Sequence, residues 1–381
     1  MNEHNPVLYR KYRPKEFNEV VGQRHVVRVL MNALRRGKVA HAYVFSGPRG
    51  VGKTSIARIL AKAVNCAHAP NGSGDSDAAL SIPCGSCGSC TAFASNSSLN
   101  LIEIDAASNR GINEVRELRE SVRFMPPTGK YKTYIIDESH QLTKEAFNAL
   151  LKTLEEPPEH AIFILATTEL EKLPQTIVSR TQQFDFSRPG IKDIKMRLGK
   201  ICELEGAVCE DAALESISLA ADGSLRDGES ILGRIFAVES KNVTSKMVEE
   251  ILGLPKKESL RAFFSAIAKG ECASSLAVLE EMIHGGQDIR SIARSALGMS
   301  RNAFLLKSDP GLERVLLEEA TSDDIDYLKS LLPLFSPGRL QDAIRIFLEA
   351  GNTIRKSPIP SLPLEIAVVE LTRDQSSGAV R

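Results

Sequence analysis

Residues 47–54 read Gly47-Pro48-Arg49-Gly50-Val51-Gly52-Lys53-Thr54, a complete G-x-x-x-x-G-K-[ST] phosphate loop. Such a loop restricts the fold because it works only between a buried strand and the start of a helix. Its glycines let backbone N–H groups turn inward around phosphate oxygens. Lys53 then reaches the β- and γ-phosphates, and the Thr54 hydroxyl ligates Mg²⁺. The flanks agree. Ala42-Tyr43-Val44-Phe45 reads as a buried strand, and Ser55 to Ala61 as a helix. A bound phosphate would lie at that helix's N-terminus, where the dipole favours negative charge.

The rest of the chain fits an ATPase. Strands are expected at 101–104, 134–136, 161–165 and 183–186, alternating with helices at 112–124 and through 147–151. This is the pattern of a parallel α/β sheet with both faces covered. Tyr134-Ile135-Ile136 ends in Asp137-Glu138. At that place an Asp joins the Mg²⁺ shell and a Glu polarises the attacking water. Thr168, closing the fourth strand, is a candidate for touching the γ-phosphate or that water. Arg180 stands far from the loop in sequence and suits an arginine finger for a neighbouring subunit. Arg226 opens a later helix and is a candidate for reaching the γ-phosphate in its own subunit.

Ser187-Arg188-Pro189-Gly190 breaks the α/β pattern. Helices at 191–205, 211–221 and 225–238 follow, and the pattern is helical from Val243 to Leu371. Lys+Arg and Asp+Glu both number 48, which argues against a basic nucleic-acid tail. No apolar run approaches the ~18 residues that span a bilayer, and residues 1–6 have no secretory core. A cytoplasmic protein with no membrane partner is expected.

Four of the seven cysteines cluster: Cys66, Cys84, Cys87 and Cys90. Four thiolates suit tetrahedral Zn²⁺. An iron–sulfur cluster is the rival, since C-x₂-C-x₂-C also occurs there. His68 is an alternative fourth ligand to Cys66. Cys202, Cys209 and Cys272 read as isolated buried thiols.

Together these residues resemble the AAA+ ATPases, and among them the DNA polymerase III gamma/tau clamp-loader family. The likeness rests also on Tyr9 to Phe17, on Val20-Val21-Gly22-Gln23, and on the run from Phe147 to Pro158. Ala166-Thr167-Thr168 and Gly223-Ser224-Leu225-Arg226-Asp227 extend it. It departs at Thr181, where the family usually has Cys, and at Ser139, often Val or Cys.

The resemblance implies an α/β parallel-sheet P-loop AAA+ domain (1–187) with an inserted zinc module (66–90). A three-helix lid (188–242), an all-α collar (243–371) and a polar tail (372–381) would follow. It implies a motor that spends ATP to open a sliding clamp and place it on primer–template DNA. The motor would work in a heteropentamer with delta- and delta-prime-type subunits and serve the DNA polymerase III core. Arg180 would be the finger in trans, Arg226 the second sensor and Thr168 the first. Ser108, Asn109 and Arg110, after the second strand, would face the DNA backbone; a plain helix N-cap is the alternative. Two other functions stay open: a non-hydrolysing structural loader subunit, and a replication factor C small-subunit-like ATPase.

Overall fold

The computed structural model describes residues 7–68, 82–95, 97–239, 241–316 and 322–373. The loop expected from Ala67 to Pro83 and the tail from Asp374 lie, but for the loop's ends, outside them. The chain divides into two compact units, one ending at Val243 and one beginning at Thr244.

The first unit is built on five strands: β1 (Ala42–Ser46), β2 (Leu101–Asp105), β3 (Lys132–Asp137), β4 (Ala161–Thr167) and β5 (Gln182–Asp185). They run parallel in the order β2-β3-β4-β1-β5. The pairs Ser46↔Thr167 and Asp105↔Asp137 align the carboxyl ends of the four longer strands. All residues of β1 and β4 are buried, as a strand covered on both faces requires.

Alternation along each strand divides the apolar side chains between two cores. Tyr43, Phe45, Ile135 and Ile164 face α2 (Arg24–Arg35) and α3 (Lys53–Val64). Val44, Tyr134, Ile136 and Phe163 face α5 (Ile112–Val122) and α6 (Lys144–Glu155). Short helices α1 (Leu8–Lys11), α4 (Gly88–Ala94) and α7 (Gln175–Val178) complete this part.

Three helices follow: α8 (Ile191–Glu205), α9 (Asp211–Ala220) and α10 (Leu225–Val238). The N-terminal segment straps them to the sheet. Lys11 Nζ and the Tyr12 hydroxyl both donate to Glu205 Oε1, at 2.8 and 2.9 Å. Arg197 donates to the Tyr12 carbonyl.

A two-stranded parallel pair, β6 (Val208–Cys209) and β7 (Asn242–Val243), was not expected. Two-residue strands carry no periodicity to read. They correct one expectation: Cys202 and Cys209 are paired as a disulfide rather than isolated thiols. α8 stops at Gly206 in the left-handed region, φ +69°, and the returning chain sets Cys209 within 6.6 Å of Cys202, Cα to Cα. Cys272 is a free thiol but only half-buried.

The second unit is helical: α11 (Ser245–Leu252), α12 (Lys257–Lys269), α13 (Cys272–His284), α14 (Ile289–Ser308), α15 (Glu313–Leu316), α16 (Ser322–Leu331), α17 (Pro337–Thr353) and α18 (Leu362–Thr372). One core gathers Phe263, Ile292, Phe347 and Val368; a second gathers Phe264, Leu306, Ile325 and Leu340. Among the described residues no helix is long and apolar enough to cross a membrane.

Candidate functional site

The carboxyl ends of β1 and β3 open into a cleft of about 600 Å³, roofed by α10 and the N-terminal segment. The loop leaving β1 lines it from Arg49 to Ser55. Gly50 and Gly52 adopt φ of +79° and +103°, values that L side chains rarely reach. A Cβ on Gly50 would also collide with Ser224 Oγ at the start of α10. Gly52 is the N-cap of α3, so the loop's N–H groups sit at the positive end of that helix.

Lys53 is buried, and its ammonium donates to the Gly47 and Pro48 carbonyls at 2.6 and 2.8 Å. Burial holds its pKa below the usual lysine range, against the opposing pull of Glu138 and Asp137. Thr54 Oγ1 donates to Asp137 Oδ2 at 2.8 Å. A hydroxyl and a carboxylate oxygen therefore converge beside the loop, a hard-oxygen pair suited to Mg²⁺.

Glu138 lies beyond the end of β3 with φ +48° and ψ +42°. For a residue with a Cβ this costs on the order of 1–2 kcal/mol. Its carboxylate accepts from Thr168 Oγ1 at 3.3 Å. Arg226 crosses the cleft roof and lies over the Tyr9 ring, 4.6 Å from its centroid. The cation draws the Tyr9 phenol below its ordinary pKa.

The structure thus brings together Gly47 to Ser55, Asp137, Glu138, Thr168 and Arg226. Arg180 lies elsewhere. It follows α7, and its guanidinium is 2.9 Å from Glu155 Oε1 and donates to the Thr176 carbonyl at 2.8 Å. Ser108 and Asn109 bond back to Asp105, Arg110 Nε to the Ala107 carbonyl. The N-cap of α5 is Gly111, so none of the three caps that helix.

The cysteine module sits past the C-terminal end of α3. The sulfurs of Cys66, Cys84, Cys87 and Cys90 all lie within 4.8 Å of one another, a set compatible with zinc. His68 is outside that set, its Nδ1 3.3 Å from Cys84 Sγ. The Cys87 N–H is the chief cause drawing the Cys84 thiol down to about 5, whereas burial pushes Cys90 and Cys66 up.

Several cleft residues escaped the sequence reading. Arg13 lines it, its pKa lowered first by burial and then by Arg58. Arg197 and Glu229 form a buried pair at 3.0 Å on the roof. Burial raises the Glu229 carboxyl despite that partner. His140, two residues beyond Glu138, was also passed over.

Comparison with known proteins decides the family. Residues 22–190 match the model "DNA polymerase III, delta subunit". Residues 193–234 match "DNA polymerase III clamp loader subunit, ATPase lid domain", and 243–378 match "DNA polymerase III subunits gamma and tau domain III". DNA polymerase III subunit gamma of Buchnera aphidicola is 32% identical over 96% of this chain and 97% of its own length. The chain belongs to the DNA polymerase III gamma/tau family. Subunit tau of Bacillus subtilis is 40% identical over 98% of the chain, and subunit gamma/tau of Mycobacterium tuberculosis 38% over 98%. The chain spans 64% and 63% of those two relatives. A structure of the Thermotoga maritima RuvB Holliday junction branch migration motor aligns with 67% of this chain and 79% of that one, at 21% identity and a TM-score of 0.47. The family membership gives the cleft its context: a gamma/tau sheet and ATPase lid enclosing a phosphate loop.

Proposed function

We propose that this chain is the ATP-hydrolysing motor of a replicative clamp loader, placing a sliding clamp on primed DNA for DNA polymerase III. The observation that carries this reading is the complete hydrolytic set. Thr54 bonds to Asp137 at 2.8 Å beside the loop, and Glu138 follows at once. A purely structural subunit has no need of that set. A replication factor C-like ATPase is disfavoured by the four gathered cysteines.

In this reading the triphosphate takes the loop N–H groups, and its oxygens replace the carbonyls that now hold Lys53. Thr54 and Asp137 would hold Mg²⁺, which supplies charge neutralisation at the phosphates. Glu138 is the general base for the attacking water, Thr168 is the first sensor that touches the γ-phosphate or that water, and Arg226 reports phosphate to the lid. Arg180 serves the neighbouring subunit. Ser108, Asn109 and Arg110 meet the DNA backbone. The second unit is the collar that joins the delta- and delta-prime-type partners into a pentamer. The test is the ATPase rate of the assembled complex alone and with clamp plus primed DNA. Stimulation by both is expected; a rate indifferent to both would overturn the motor reading.

The module is assigned to structural zinc held by Cys66, Cys84, Cys87 and Cys90. It lies about 18 Å from the phosphate loop, the length of a 12-residue helix. Stripping the metal is therefore expected to lower the melting temperature while leaving ATP affinity intact. Metal analysis of purified protein checks the identity, and iron with visible charge-transfer absorption would exclude zinc.

A further inference from the structure

His140 is buried beside the hydrolytic carboxylate, its side chain 4% exposed. Nδ1 lies 3.0 Å from Thr167 Oγ1 and 3.6 Å from Glu138 Oε2. Nε2 lies 3.2 Å from Glu169 Oε1 and 2.9 Å from Gln141 Nε2. The ring's surroundings are themselves fastened. Thr167 Oγ1 accepts the Glu169 N–H at 3.0 Å, and Lys172 holds Glu169 at 2.7 Å. Ser139 Oγ donates to the Ala166 carbonyl at 3.0 Å, tying the turn Ser139–Gln141 to β4.

Glu138 has no comparable anchor. Its backbone is left-handed, and the one side-chain hydrogen bond among the described residues is the 3.3 Å contact from Thr168. A carboxylate on a strained turn keeps one rotamer only if its surroundings impose it. Besides the Thr168 hydroxyl, the Glu138 carboxylate has the fastened His140 ring 3.6 Å away.

We propose that His140 is a positioning residue for Glu138: its Nδ1 edge, fixed by Thr167, keeps the ring where it confines the carboxylate against the end of β4. The proposal rests on the reading of Glu138 as the general base. A base displaced by about 1 Å can cost on the order of 10²-fold in rate without any change in substrate binding. The two edges of the ring are separable, because an asparagine amide reaches the place of Nδ1 and a glutamine amide that of Nε2.

The experiment uses the assembled complex with clamp and primed DNA, and measures ATP affinity and single-turnover hydrolysis separately. His140→Ala is expected to slow hydrolysis about 10- to 100-fold at unchanged ATP affinity. His140→Asn should recover most of the rate and His140→Gln little of it. This pair decides the matter if the alanine variant does not assemble. In a Glu138→Gln background, His140→Ala should add no further loss, since it acts through a group already disabled. Wild-type hydrolysis by His140→Ala, equal rescue by Gln and Asn, or an undiminished loss in the Glu138→Gln background would each overturn the proposal. Wild-type hydrolysis by Glu138→Gln alone would instead overturn Glu138 as the base.

Discussion

Replacing Arg180 by alanine is expected to cut the stimulated ATPase of the assembled complex by about 10³- to 10⁵-fold, the range of an arginine finger. The ATP affinity of the same chain should not move. The expectation follows from where the guanidinium is. It is absent from its own cleft and held on the surface by Glu155 and the Thr176 carbonyl. An exposed pair of this kind is worth about 1 kcal/mol or less. Little therefore opposes its transfer to the phosphates of an adjacent subunit, where its positive charge meets the growing charge of the transition state. Mixed assembly gives the check. A chain carrying Arg180→Ala should silence the site of the neighbour it faces, and a chain carrying Lys53→Ala only its own site. Full activity at the neighbour's site would refute action in trans.

The parts legible in the sequence are those whose physics is local. β1 and β4 are covered throughout and β3 up to Asp137, so their apolar runs announce them. The phosphate loop is legible because its glycines and Lys53 lie within eight residues and need only a strand before and a helix after. α8 and α10 were readable to the residue, since Gly190 and Gly206 bracket one helix and Ser224 caps the other.

What stayed hidden depends on residues distant in sequence. Tyr9 and Arg226 meet across the cleft roof, and Arg197 pairs with Glu229 while donating to Tyr12. No periodicity links such positions. Cys202 and Cys209 are near in sequence, yet their pairing needs the left-handed stop at Gly206 and the two-residue strand after it. His140 was visible as a residue but not as a participant, because its partners Thr167 and Glu169 come from the end of β4. The helix-cap alternative for Ser108 and Asn109 fails because both bond back to Asp105 and Gly111 is the N-cap of α5.

Glu138→Gln is expected to slow hydrolysis in the assembled complex by about 10²- to 10⁴-fold, the usual contribution of a general base, and to leave ATP bound. The isostere is the informative choice. Glutamine keeps the length of the side chain and one oxygen for the Thr168 hydroxyl, but it cannot take a proton from water. Glycine would relax the φ of +48° and alanine would empty the space beside His140, so either would mix a change of shape with the loss of a base. In the proposed reading the phosphate contacts belong to the loop, Lys53 and Arg226, and the substitution replaces none of these groups. Affinity and turnover should therefore separate: equilibrium binding of a fluorescent ATP analogue unchanged, single-turnover cleavage lost. A variant that binds weakly and cleaves what it binds at the normal rate would place Glu138 among the binding groups. Water activation would then have to come from another group at the carboxyl ends of β3 and β4.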